Sequence, residues 1–209
     1  MRYRWYLWNI WRYVFDNLHR WLNFIGHKNP RILILGSAPW MRTLNNQPNV
    51  GTVYYFSRSN RFRNILGGLY WDEVSGRIFG RYNNLQDVYN IQNDFCIEHN
   101  IALRDRIHVF FSVEWSSRDD RRVPIVYNRI TTNQNLVVVS NGLGLLRQVN
   151  EPMQQIKFED DEINQRLRNE ININTRDYQL WNFRLLFLKS TSWVAGTRIQ
   201  DWNLDVWNA

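Results

Sequence analysis

The chain has 209 residues, of which 44% are hydrophobic and 22% charged. That length and composition predict one compact domain with a real core and exclude collagen-like, mucin-like or largely disordered chains. Twenty-six basic residues face 19 acidic ones, a formal charge of +7, and because Lys28, Lys157 and Lys189 are the only lysines, 23 of the 26 are arginine. Arginine grips phosphate bidentately and stacks on rings, so an Arg-rich chain with 11 Trp points to a polyanionic partner, with nucleic acid first. A solvated basic surface over an aromatic core fits the same numbers, and composition does not choose between the two.

The single cysteine, Cys96, excludes an intramolecular disulfide framework, a cysteine-based zinc site and a four-Cys cluster. His19, His27, His99 and His108 lack the i, i+4 spacing that sets two imidazoles on one helix face. The expectation is therefore chemistry without metal or cofactor. No stretch approaches 18 uncharged apolar residues, and arginine and aspartate interrupt the first apolar segment, so the chain reads as cytoplasmic, with no membrane partner.

In chain order, Trp8, Trp11, Phe15, Leu18 and Leu22 recur at helical spacing and predict an amphipathic helix over 3–25, in an amino-terminal unit of residues 1–29 that ends at the breakers Gly26 to Pro30. That helix either packs on the following domain, residues 30–209, or meets DNA or a membrane surface with its Trp and Arg. Ile32 to Leu35 is a continuous apolar run, as expected of a strand buried on both faces of a parallel sheet. Leu136 to Val139 and Phe183 to Leu188 read the same way. All three end in small or polar residues: Gly36, Ser37 and Ala38; Ser140, Asn141 and Gly142; Ser190, Thr191 and Ser192. Ligands bind at such carboxyl ends in open α/β sheets. Helices are predicted over 61–69, 85–99, 153–171 and, last, 198–207; residues 107–135 read as an irregular excursion or hairpin. The fold expected is an α/β, three-layer α/β/α sandwich around a parallel sheet of about four strands.

The stretch Tyr54 to Leu66, YYFSRSNRFRNIL, has Asn60 before a predicted helix, where it serves as an N-cap by residue type alone. In company with GSAPW (36–40), IALRDRI (101–107), SSRDD (116–120), VVVSNG (137–142) and LKSTSWVAGTRIQDW (188–202), it resembles the uracil-DNA glycosylase superfamily, and within it the hypoxanthine-DNA glycosylase branch. The matches fall in the same order over residues 31–202. The resemblance implies a metal-free, cofactor-free monofunctional glycosylase that acts as a monomer on DNA. It implies that Asn60 orients the attacking water and that Tyr55 stacks on the flipped base. Gly36, Ser37 and Ala38 would line the pocket and Asn141 would read the base edge, while Ser190, Thr191 and Ser192 grip phosphates. Ser117 and Asp119 also match, without a defined role.

Departures from the branch are as informative. Trp40 stands where the branch has glycine; Ser57, Arg58 and Ser59 replace His-Pro-Arg; Arg63 replaces Trp; and Trp193, Val194 and Ala195 replace Pro-Ala-Asn. Small Ser57 and Ser59 leave room for a bulky base, such as the glucosylated hydroxymethylcytosine of some phage genomes, which would make the chain an antiphage enzyme. Hypoxanthine or uracil repair is the alternative, and a catalytically silent nucleic-acid-binding module is another. Arg58, Arg61, Arg63 and Arg198 are the expected phosphate contacts. Trp193 is either a wedge for the vacated stack or a core residue under the last helix.

Overall fold

A computed structural model describes residues 18–20, 24–36, 62–70, 85–112, 122–133, 135–141, 156–171, 175–191 and 196–207. These form a mixed α/β fold. Its main sheet has six strands: β2 (Phe24–Gly26), β3 (Ile32–Gly36), β4 (Ile101–Asp105), β8 (Val137–Asn141), β10 (Asp177–Leu180) and β11 (Phe183–Leu188). Their order is β10-β11-β8-β3-β4-β2. The inner strands pair in parallel, β11 with β8, β8 with β3 and β3 with β4, while β10 and β2 close the two edges antiparallel.

Period-2 alternation sends neighbouring residues of each inner strand to opposite faces. Ile32 and Ile34 pack with Val139, Leu186 and Leu188 against α1 (Phe62–Leu69), α2 (Leu85–Glu98) and the carboxyl-terminal Trp202, Val206 and Trp207. Leu33 and Leu35 pack with Val138, Leu185 and Phe187 against Ile163 and Leu167 of α3 (Asp161–Glu170). This two-sided burial is why the strands read as unbroken apolar runs. Each wholly buried Ile or Leu contributes about 1.5–3 kcal/mol.

Several expectations need correction. The helix period over 3–25 does not survive at its carboxyl end, where β1 (Leu18–Arg20) pairs with Val109 to Phe111 and β2 pairs with Ala102 to Arg104. Residues 1–17 lie outside the described residues. Because β2 belongs to the main sheet, residues before 30 contribute to the domain core, and Ile25 is wholly buried. Gly26 sits at φ +101, and a Cβ there would come within 2.3 Å of the Ile101 carbonyl and 2.7 Å of Cys96 Cβ, so no side chain fits at this crossing.

The helix expected over 153–171 begins only at Asp161. Upstream, β9 (Lys157–Phe158) pairs with β7 (Arg129–Ile130), and Asp160 then caps α3 by accepting from the amides of Glu162 (2.8 Å) and Ile163 (3.4 Å). The stretch after Ile107 is a hairpin of β5 (Ile107–Ser112) and β6 (Arg122–Tyr127) in a three-stranded sheet with β1. The helix expected over 198–207 is instead two 3-10 turns, Ile199–Asp201 and Asp205–Trp207.

Candidate functional site

From β3 the chain passes to β4 on one side and later returns to β8 on the other. The next strands of this sheet after β3 and after β8 therefore lie on opposite sides of that pair, the switch-point order that in open α/β sheets goes with a ligand crevice outside the strand carboxyl ends. Four ends meet along that edge. Gly36 lies opposite Asp105, Leu35 opposite Ser140, and Asn141 opposite Leu188. Residues from four separated stretches of sequence thus share one row.

Asn141 and Thr191 form a reciprocal bridge between the ends of β8 and β11. The Asn141 amide nitrogen donates to Thr191 Oγ1 at 3.1 Å, and the Thr191 N–H donates to Asn141 Oδ1 at 3.0 Å. Asn141 is 5% exposed and Thr191 fully buried. Each such bond adds about 1 kcal/mol net, but leaving either buried partner orphaned costs about 1–3 kcal/mol. Beside Asn141, Ser140 Oγ is buried without a hydrogen-bond partner among the described residues.

On the other side of the switch point, Arg106 follows β4 and is 2% exposed. Its backbone N–H and Nε both donate to the Gly36 carbonyl, at 2.9 and 3.2 Å, and so fix the end of β3. Asn128 secures the same turn: its Nδ2 donates to the Asp105 carbonyl at 2.6 Å and its N–H to the Arg106 carbonyl at 2.7 Å, while Arg104 donates to its Oδ1 at 3.2 Å. Burial raises the Tyr127 hydroxyl pKa, and the Arg106 charge opposes that rise. Burial likewise lowers the pKa of Arg104, which Glu159 partly offsets.

The segment after β11 is braced by its own contacts. Trp202 Nε1 donates to the Lys189 carbonyl at 2.9 Å, the buried Thr197 hydroxyl donates to the Ser190 carbonyl, and Lys189 Nζ pairs with Asp201 at 2.7 Å. The Lys189 ammonium and then the Arg198 N–H, at 2.8 Å, hold the Asp201 carboxyl below its usual range. Here the exposed Arg198 is a backbone partner in a turn, and Lys189 is ion-paired.

Of the sequence-predicted site residues, Gly36, Asn141, Ser190 and Thr191 come together at this edge. Ser37, Ala38, Tyr55, Arg58, Asn60, Arg61, Ser192 and Trp193 lie outside the described residues, as do Ser117 and Asp119. Arg63 is on α1, its side chain likewise outside them. Sequence reasoning passed over Asp105 and Arg106, both at least nine-tenths buried at the end of β4. Their signal was the RDR that interrupts the apolar start of IALRDRI.

Among the described residues no group of three or more His, Cys, Asp or Glu is placed to hold a metal, and no helix is long and apolar enough to cross a membrane. Cys96 is buried, which raises its thiol pKa. The chain matches no protein-family model and no curated protein.

Proposed function

We propose that the chain is a monofunctional DNA glycosylase that flips a modified base into the crevice between β3 and β8 and hydrolyses its N-glycosidic bond. The observation that carries this reading is the switch point itself. The GSAPW, VVVSNG and LKSTSW motifs, far apart in sequence, reach one edge of the sheet through Gly36, Asn141 and Thr191. The three-layer α/β/α sandwich belongs to the same proposal, supported by apolar clusters on both faces of the sheet.

In the reaction, a water oriented by Asn60 adds its oxygen to C1′ as the bond to the base nitrogen breaks. The base leaves with that electron pair, and the water's surplus proton passes to solvent or to the base. A neutral Asn60 orients water but is a weak base, so the leaving group must carry much of its own stabilisation through an oxocarbenium-like state. Tyr55 supplies the stacking face that offsets the few kcal/mol lost on flipping. The substrate proposed is a bulky modified base, as in antiphage defence, with hypoxanthine or uracil as the alternative. The enzyme acts as a cytoplasmic monomer on DNA without a cofactor.

Base release should be measured by mass spectrometry on genomic DNAs carrying different natural modifications, beside inosine and uracil duplexes. Release of one base by the wild type, abolished in Asn60→Ala, is the expected result. Cutting of only inosine or uracil would overturn the bulky-base proposal. DNA affinity is also expected to fall steeply with salt, about tenfold or more between 50 and 200 mM, if several of Arg58, Arg61, Arg63 and Arg198 neutralise phosphates. A flat response in a filter-binding titration would remove them from the interface.

One observation favours a second reading. Both ends of the Asn141 amide are engaged by Thr191, as suits a rigid scaffold better than a base reader. A catalytically silent nucleic-acid-binding module would show salt-dependent binding unchanged in Asn60→Ala and no base release on any substrate.

A further inference from the structure

At the opposite end of the main sheet, the turn between β10 and β11 holds Trp181 and Asn182, both exposed. Trp181 is 53% exposed and adopts φ +47. A left-handed conformation costs an L-residue about 1–2 kcal/mol, and glycine or asparagine normally takes it. The other described non-glycine residues at positive φ follow that rule, being Asn100 and Asn135. Trp181 departs from it at a position the core does not need.

Its surroundings indicate what the ring is for. The Arg166 guanidinium of α3 lies 5.1 Å from the ring centroid and holds it by a cation–π contact. Gln179 is exposed and donates from Nε2 to the Trp181 carbonyl at 3.3 Å, and Asn182 adds a second exposed amide. Among the carboxylates of α3 and β10, Glu162 pairs with Arg166 at 3.3 Å and Asp177 with Arg184 at 2.6 Å, while Glu170 accepts from the Tyr178 hydroxyl. A half-exposed indole with an arginine over its ring and exposed amides in the same turn suits a splayed-out base with its phosphate.

We propose that Trp181 and Arg166 form a stacking platform for an unpaired base of single-stranded nucleic acid, separate from the crevice between β3 and β8. The backbone strain at Trp181 is retained because it presents the ring outward. The site does not depend on glycosylase chemistry.

The test is fluorescence anisotropy with the full chain and dye-labelled oligothymidylate, oligouridylate and a DNA duplex. Trp181→Gly is the main variant, since glycine adopts this φ freely; circular dichroism melting verifies its fold. It is expected to weaken single-strand binding about tenfold or more and leave duplex binding unchanged, whereas Trp181→Phe stays within about threefold of wild type. Equal losses on both single strands would assign stacking alone, and a loss confined to one would add a contact to the sugar or to the thymine methyl. Folded Trp181→Gly that binds single strands as wild type does, or a wild type that ignores them, would overturn the proposal.

Discussion

Trp202→Ala is expected to destabilise the fold by about 3–5 kcal/mol, the range for removing a large buried aromatic. Trp202 is wholly buried, packs edge-on to Phe62 with ring centroids 6.2 Å apart and stacks on Trp207 at 6.1 Å. Removing it opens a cavity between α1 and the carboxyl-terminal turns and orphans the Lys189 carbonyl that its indole N–H satisfies at 2.9 Å. For a chain of this size the melting temperature should fall by roughly 10 °C or more. Trp202→Phe helps to separate the two contributions, because it loses the N–H while keeping most of the packing; a cost of about 1–2 kcal/mol is expected. A loss from Trp202→Ala no larger than that from Trp202→Phe would mean that the ring contributes little and the hydrogen bond carries the effect.

Strands buried on both faces were the most legible part of the fold. Ile32 to Leu35 and Phe183 to Leu188 needed only an apolar run and a polar stop, and the observed β3 and β11 end within one residue of those limits. The helices over 62–69 and 85–98 were equally plain, since Phe62, Ile65 and Leu66 put one stripe on the core. Where expectation failed, a non-local partner decided. Leu18 fits the helical period expected over 3–25, yet pairing with β5 and β4 satisfied the backbone of β1 and β2 instead. Ile156 also fits the period of α3, but Phe158 is drawn into β9, and Asn164 then bonds back to the Phe158 amide and carbonyl, both at 2.9 Å.

The candidate site was legible as a set of strand ends and not as a geometry. A glycine, an asparagine and a threonine after apolar runs announce loops at a sheet edge, but nothing local tells which strands are neighbours. Strand order alone creates the switch point between β3 and β8. The buried Arg106 was hidden for a related reason. Arginine in a sequence reads as surface, and it is the Gly36 carbonyl, 70 residues away, that gives the Nε of this one a buried acceptor.

Asn141→Ala carries the second large effect, because it separates a residue that reads the base from one that braces the edge. Asn141→Ala leaves the Thr191 N–H buried and unpaired, and Thr191→Val leaves the Asn141 amide short of its acceptor. Each is expected to cost about 1–3 kcal/mol, and because both remove one shared bridge, the double variant should cost less than their sum by about 1 kcal/mol. In the glycosylase reading, base release must then fall unequally. At a temperature where every variant is folded, Asn141→Ala should lose it by a factor of about 100 or more, while Thr191→Val, which keeps the amide, retains most of it. Equal large losses would make the bridge a positioning device that aims Asn141 into the crevice. Full activity in folded Asn141→Ala would make the residue a brace alone and would shift recognition of the base to the backbone beyond Gly36.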